Sequence, residues 1–186
     1  MVTLSGISRS GRAEIAFEPR PSPSLIMFGL FKKPLHQDPV LGTLQRASGI
    51  WKGTLKLPGG EEISIRLAGG REAPDADFLT LAHGFAGKFE EIKPQISAGL
   101  FEHYEPYKEA FDDGQMEEGV ESFPNLTNAD DILPHASIEY VFIGPLQGAP
   151  GKGPFVEVAY RVAWDEEHTV GVRFQDWQVF EVCGSV

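Results

Sequence analysis

The sequence predicts an α+β domain: an antiparallel sheet, built from an N-terminal hairpin and a C-terminal meander, with two central helices on one face. Three observations predict it. Residues alternate apolar and polar across 50–67, and again across 137–182. Between these regions the apolar residues recur at steps of three and four. Beyond Trp164 the connections are short, as a meander requires.

From Leu41 the chain reads as short strands. Residues 50–57 place Trp51, Gly53, Leu55 and Leu57 on one face and Lys52, Thr54 and Lys56 on the other. Pro58-Gly59-Gly60 is turn chemistry. Ile63, Ile65 and Leu67 then alternate with Glu62, Ser64 and Arg66, which completes a hairpin with one wet face. Asp75 is placed to cap a helix, and Asp77 complements its N-terminal dipole. Phe78, Ala82, Phe85, Phe89 and Ile92 form its apolar stripe, and Gly84 and Gly87 weaken it in favour of close packing. Pro94 suits the first turn of a second helix, with Ile96, Leu100, Tyr104, Tyr107 and Phe111 as its stripe. Pro106 should kink or shorten that helix. Residues 112–125 read as an acidic loop, and Thr127 or Asn128 as the cap of a short helix through Leu133. Strands follow at 137–143, 155–164, 169–174 and 177–182. Val156, Val158, Tyr160, Val162 and Trp164 share a face. Trp51, Leu55, Phe85, Phe89, Leu100, Val158, Tyr160, Val162, Trp164 and Val172 should supply the core.

The chain has 186 residues, which suits one domain spanning 35–186 after a disordered leader at 1–34. Residues 1–26 are Ser-rich and carry three arginines against two glutamates, a balance of +1. The remaining 160 residues carry −12 of the −11 total. Met27 is the expected native start, which would leave 1–26 outside the native product. The single cysteine, Cys183, cannot form an internal disulfide, so a reducing, cytoplasmic compartment is expected. No apolar run is long enough for a membrane helix, and no membrane partner is expected. An acidic chain is a poor nucleic-acid binder, whereas a basic protein would be steered toward it.

The C-terminal segment runs Trp164-Asp165-Glu166-Glu167-His168-Thr169-Val170-Gly171-Val172-Arg173-Phe174. Upstream stand Trp51-Lys52-Gly53 and Asn128-Ala129-Asp130-Asp131-Ile132-Leu133-Pro134-His135. Over roughly residues 40 to 183 this layout resembles an uncharacterised bacterial family, a domain of unknown function. The resemblance implies a bacterial, cytosolic protein. It implies no activity, so no catalytic residue is carried over. Some domains of this general build stand beside toxins as immunity proteins, which is analogy of fold.

Asp165-Glu166-Glu167-His168 is the most suggestive tetrad. Carboxylates beside an imidazole can bind a divalent metal or exchange protons, so Glu166, Glu167 and His168 are the catalytic candidates. In extended geometry Glu166 and His168 share a side. A metal would need further ligands, such as His135 or His103. The plainer reading is a polar hairpin connection with Trp164 packed beneath it. Residues 144–153 superficially resemble a phosphate loop, but Leu146 and Gly153 stand where Gly and Ser or Thr are needed, and Pro154 leads into a strand. His83 and His103, on the two expected helices, could pair around a metal, though each reads more plainly as a surface or boundary histidine. Cys183 reads as packing rather than as a nucleophile. The acidic run from Asp112 through Asp113, Glu117, Glu118 and Glu121 lacks the ladder of a calcium loop.

The expected function is therefore a non-catalytic, immunity-like binder of a basic protein. Its binding residues are Asp112, Asp113, Glu117, Glu118, Glu166 and Glu167, with an exposed Tyr104 or Tyr107 as aromatic anchor. No cofactor is expected. The alternative is a metal-dependent or acid–base enzyme using Glu166, Glu167 and His168.

Overall fold

In the computed structural model, which describes residues 33–115, 123–151 and 153–184, the alternation at 50–67 forms two paired strands. They are β3 (Ile50–Lys56) and β4 (Glu62–Leu67). Two strands precede them, β1 (Leu35–Asp38) and β2 (Gly42–Ala47), so the expected hairpin is half of a four-stranded meander. β1 carries no clean alternation in its Leu-His-Gln-Asp sequence and was not predicted. Asp38 makes its turn: Oδ1 accepts from the N–H groups of Val40 and Leu41 at 2.9 and 2.8 Å. Residues of the expected leader before Lys33, Met27 included, lie outside the described residues.

A single helix, α1 (Ala76–Asp112), replaces the two expected helices. Asp75 caps it as anticipated, accepting from the N–H of Asp77 at 3.0 Å. The helix runs through Pro94 and Pro106 without ending. Each proline in a helix interior costs about 3 kcal/mol. Against this, Phe85, Ile92, Ile96 and Leu100 are 0–2% exposed, and burying each contributes about 2 kcal/mol. Both prolines are exposed, so the carbonyls they leave unbonded, those of Glu90 and Glu102, belong to the wet side. The buried stripe wins. The helix also takes in Asp112, and Asp113 is its C-cap, so the expected acidic loop begins later than its composition suggests.

Past the helix, Asn128 caps a short 3-10 turn at Ala129–Asp131, and a second follows at Leu133–His135, where a single short helix was expected. The C-terminal half is β5 (Ala136–Gly144), β6 (Phe155–Val162), β7 (Asp165–Gln175) and β8 (Gln178–Gly184). All eight strands make one sheet in sequence order. Every pairing is antiparallel except β4 with β5, which is parallel, with Ile65 opposite Val141. The helix count explains this exception. One helical crossing returns the chain to the end of the sheet where β4 began, so β5 starts in the same direction.

The core lies between α1 and one sheet face. All ten residues expected there are buried. Gly99 of α1 lies where a Cβ would stand 2.7 Å from Val182 of β8. Gly84 and Gly87, expected to permit close packing, have open space around them instead. Residues 145–154 join two strands as a loop, as read from the sequence, with Lys152 outside the described residues.

Candidate functional site

The tetrad 165–168 opens β7 rather than forming the hairpin connection, which is Ala163-Trp164. Trp164 therefore does not extend β6, yet it is 3% exposed because its ring turns down onto α1. The register explains the loop-like composition. Arg161 faces Thr169 and Val162 faces Asp165, so residues 166–168 have no register partner on β6 and bulge outward.

Asp165 closes this bulge. Its Oδ1 accepts from the backbone N–H of His168 at 3.2 Å and lies 3.0 Å from the ring Nδ1 of His168. Its Oδ2 accepts from the Tyr107 hydroxyl at 2.8 Å. Trp164 Nε1 donates to His103 Nδ1 at 3.2 Å. An indole N–H can only donate, so His103 Nδ1 must be the unprotonated nitrogen. The His103 ring also stacks on Tyr107, with centroids 5.2 Å apart. Two side chains of α1, one helical turn apart, thus hold both sides of the β6–β7 corner.

The electrostatics follow from this packing. Burial works to raise the Asp165 carboxyl, but hydrogen bonds from Tyr107 and His168 outweigh it and hold the group below the ordinary carboxylate value. Burial, with the Asp165 bond added, pushes the Tyr107 hydroxyl up. Burial lowers His103, against the pull of the Asp165 charge.

Glu166 and Glu167 are exposed, as is His168. They do not converge. Glu166 alone of the three lines a depression, about 510 Å³, which it shares with His135 and Arg161. On α1, Glu102, Glu105, Glu109 and Asp112 are exposed too, as is Asp113 beyond it. Lys108 pairs with Asp112, and the last helical turn holds no basic residue. The negative end of the helix dipole therefore adds to these acids, offset there only by the Lys108 ammonium at Asp112. Tyr107 fastens Asp165, and with it the Glu166–Glu167 bulge, to this stretch of helix, while Glu102, Glu105, Glu109 and Asp112 stand at steps of three and four on the side of α1 away from Tyr107. Glu117, Glu118 and Glu121 lie outside the described residues.

Other candidates resolve differently. Tyr104 is 1% exposed and cannot be an anchor; its hydroxyl donates to the Pro124 carbonyl at 2.6 Å. Tyr107 is half-buried. His83 and His103 stand on one helix about 30 Å apart, too far to share a metal. His83 Nε2 lies 3.0 Å from both carboxylate oxygens of Asp38, which ties α1 to the β1–β2 turn. Cys183 faces Gly171 across the sheet, and burial raises its thiol, which disfavours the thiolate. Among the described residues no three His, Cys, Asp or Glu side chains gather as a metal site. Tyr107 and Asp165 are the residues of this corner that sequence reading undervalued. Nothing local marks their pairing, because 58 residues separate them.

The family described as Domain of unknown function (DUF6985) matches residues 40–185. The chain belongs to this family. The match takes in α1 and every strand from β2 to β8. No curated protein and no solved structure matches the chain. No helix among the described residues is long and apolar enough to cross a membrane. Family membership brings no reaction or ligand with it, so the geometry of this DUF6985 domain carries the functional argument.

Proposed function

We propose that this domain is a non-catalytic protein-binding module of the bacterial cytoplasm, immunity-like in action, whose exposed acids receive a basic protein. The observation that carries this reading is the Tyr107–Asp165 hydrogen bond. It fastens the bulge that exposes Glu166 and Glu167 to the half of α1 whose outer side carries Glu102, Glu105, Glu109 and Asp112, acids that repel one another at steps of three and four. Such repulsion, kept in an acidic chain, suits attraction of an opposite charge. The test is capture from the native cell at low and at high salt, using wild type and a Glu166→Lys/Glu167→Lys variant. A basic protein retained by wild type, lost from the variant and released by salt supports the reading. Equal capture by both proteins, or none under any condition, refutes it.

A second reading draws on the Asp165–His168 contact. A carboxylate that orients an imidazole through Nδ1 is the arrangement of a general base. On this acid–base reading, with Glu166 or Glu167 as the partner acid, His168→Ala abolishes turnover while leaving partner capture intact. On the binding reading the wild type shows no turnover to lose, and His168→Ala captures partner as wild type does.

A further inference from the structure

We infer that the sheet face turned away from α1 carries a second site, which binds a small organic carboxylate through Arg66 and Lys52. The register puts one row of side chains across this face. Lys52 stands opposite Arg66, Arg66 opposite Phe142, Phe142 opposite Glu157, and Glu157 opposite Arg173. Their chain neighbours Trp51, Ile65, Val141, Val158 and Val172 are buried in the core, so this row points the other way.

The two halves of the row differ in charge balance. On one side Arg173 is satisfied, with Nε 2.7 Å from Glu157 and Nη1 2.6 Å from Glu181. On the other, Lys52 and Arg66 are like charges directly opposite each other, a pairing that destabilises a sheet. Among the described residues neither forms an ion pair. The Arg66 guanidinium lies over the Tyr140 ring, 3.4 Å from its centroid, and its buried Nε has no hydrogen-bond partner among those residues. Stacking fixes the plane of the guanidinium without using its donors.

Both cations line a depression of about 340 Å³, within the size range of small-ligand sites. With Arg173 and Glu157, its lining sums to +2 in a chain of net charge −11. Apart from Ser48 and the Tyr140 ring, its remaining wall is apolar, from Ala47, Ile50, Phe142 and Leu146. A planar cation beside a second positive charge fits a carboxylate, and the apolar wall fits a hydrocarbon body attached to it. A bare inorganic anion would leave that wall unused.

The test titrates benzoate into the full chain at low salt, by calorimetry and by NMR of arginine side-chain N–H groups, with inorganic phosphate as the comparison probe. Saturable binding of one benzoate per chain is expected, with shifts at Arg66 and Tyr140. Arg66→Gln should weaken it about tenfold or more, as losing a charged hydrogen bond does. Lys52 is exposed, so Lys52→Gln keeps the fold and should also weaken binding severalfold. Glu166→Lys/Glu167→Lys should leave benzoate affinity unchanged, which separates this site from the Glu166–Glu167 bulge. No saturable binding up to about 10 mM, a range that includes weak ligands, would overturn the inference. So would undiminished binding in the Lys52 variant, or phosphate binding without benzoate binding.

Discussion

Asp165 shows how much one side chain can organise. Its carboxylate holds the bulge of β7 and fastens it to α1, and its folded-state pKa is depressed by the hydrogen bonds that outweigh burial. Such a group stabilises the fold fully above the ordinary carboxylate range, near pH 4. Its contribution is lost as pH falls through the lower folded value. Asp38 behaves alike: burial opposes ionisation, but the Leu41 and Val40 N–H groups and His83 prevail. Thermal unfolding of wild type and Asp165→Asn should therefore differ at neutral pH and converge in acid. Tyr107→Phe should cost about 1–2 kcal/mol in urea unfolding; no loss would mean that the corner is held by other contacts. His103 titrates in a separate window. Its folded pKa is lowered by burial, so the neutral ring, and with it the Trp164 bond, survives below the ordinary histidine value near 6.5. Acidification through the lower folded value should shift tryptophan fluorescence, and His103→Gln should abolish that step.

At the scale of elements, α1 makes the sharpest contrast between local rule and tertiary outcome. Its stripe was legible from spacing, but Pro94 reads equally well as a helix start and as an interior residue on the wet side. Only the sheet beneath the helix distinguishes them. Its glycines divide in the same way. Gly84 and Gly87 face open space, so alanine at either position should stabilise the protein by up to about 1 kcal/mol. Gly99 sits against Val182, and Gly99→Ala should destabilise by about 1–3 kcal/mol through overpacking. Denaturant midpoints of the three variants test the packing of α1 on β8 directly. If Gly99→Ala stabilises as the others do, the contact is not made in solution.

Across the whole molecule, the two sheet faces have different energetics. The helix side is apolar. The other side is held by charges and rings packed on one another, with Glu157 only 4% exposed. Removing one partner of a buried ion pair leaves a charge without compensation. Arg173→Ala should therefore cost about 3 kcal/mol, and adding Glu157→Gln should restore part of the loss. Urea unfolding of the single and double variants decides this; a double variant no more stable than Arg173→Ala would exclude the pair as the cause. Salt should leave this pair largely unaffected, while it screens the exposed acids and any partner bound there.

By itself the sequence determined what depends on neighbours along the chain: strand alternation, the Asp75 cap, the apolar stripe, and every residue chosen for the core. It also marked the 165–168 tetrad as unusual and offered Glu166, Glu167 and His168 as catalytic candidates, whereas their exposed position on a bulge follows from the β6–β7 register. The tertiary structure decided what depends on partners far along the chain. It merged two expected helices into one, made β4 and β5 parallel, paired Tyr107 with Asp165, and set Lys52 against Arg66. The division is physical: periodicity records which face of an element is buried, and carries no information about which distant element buries it.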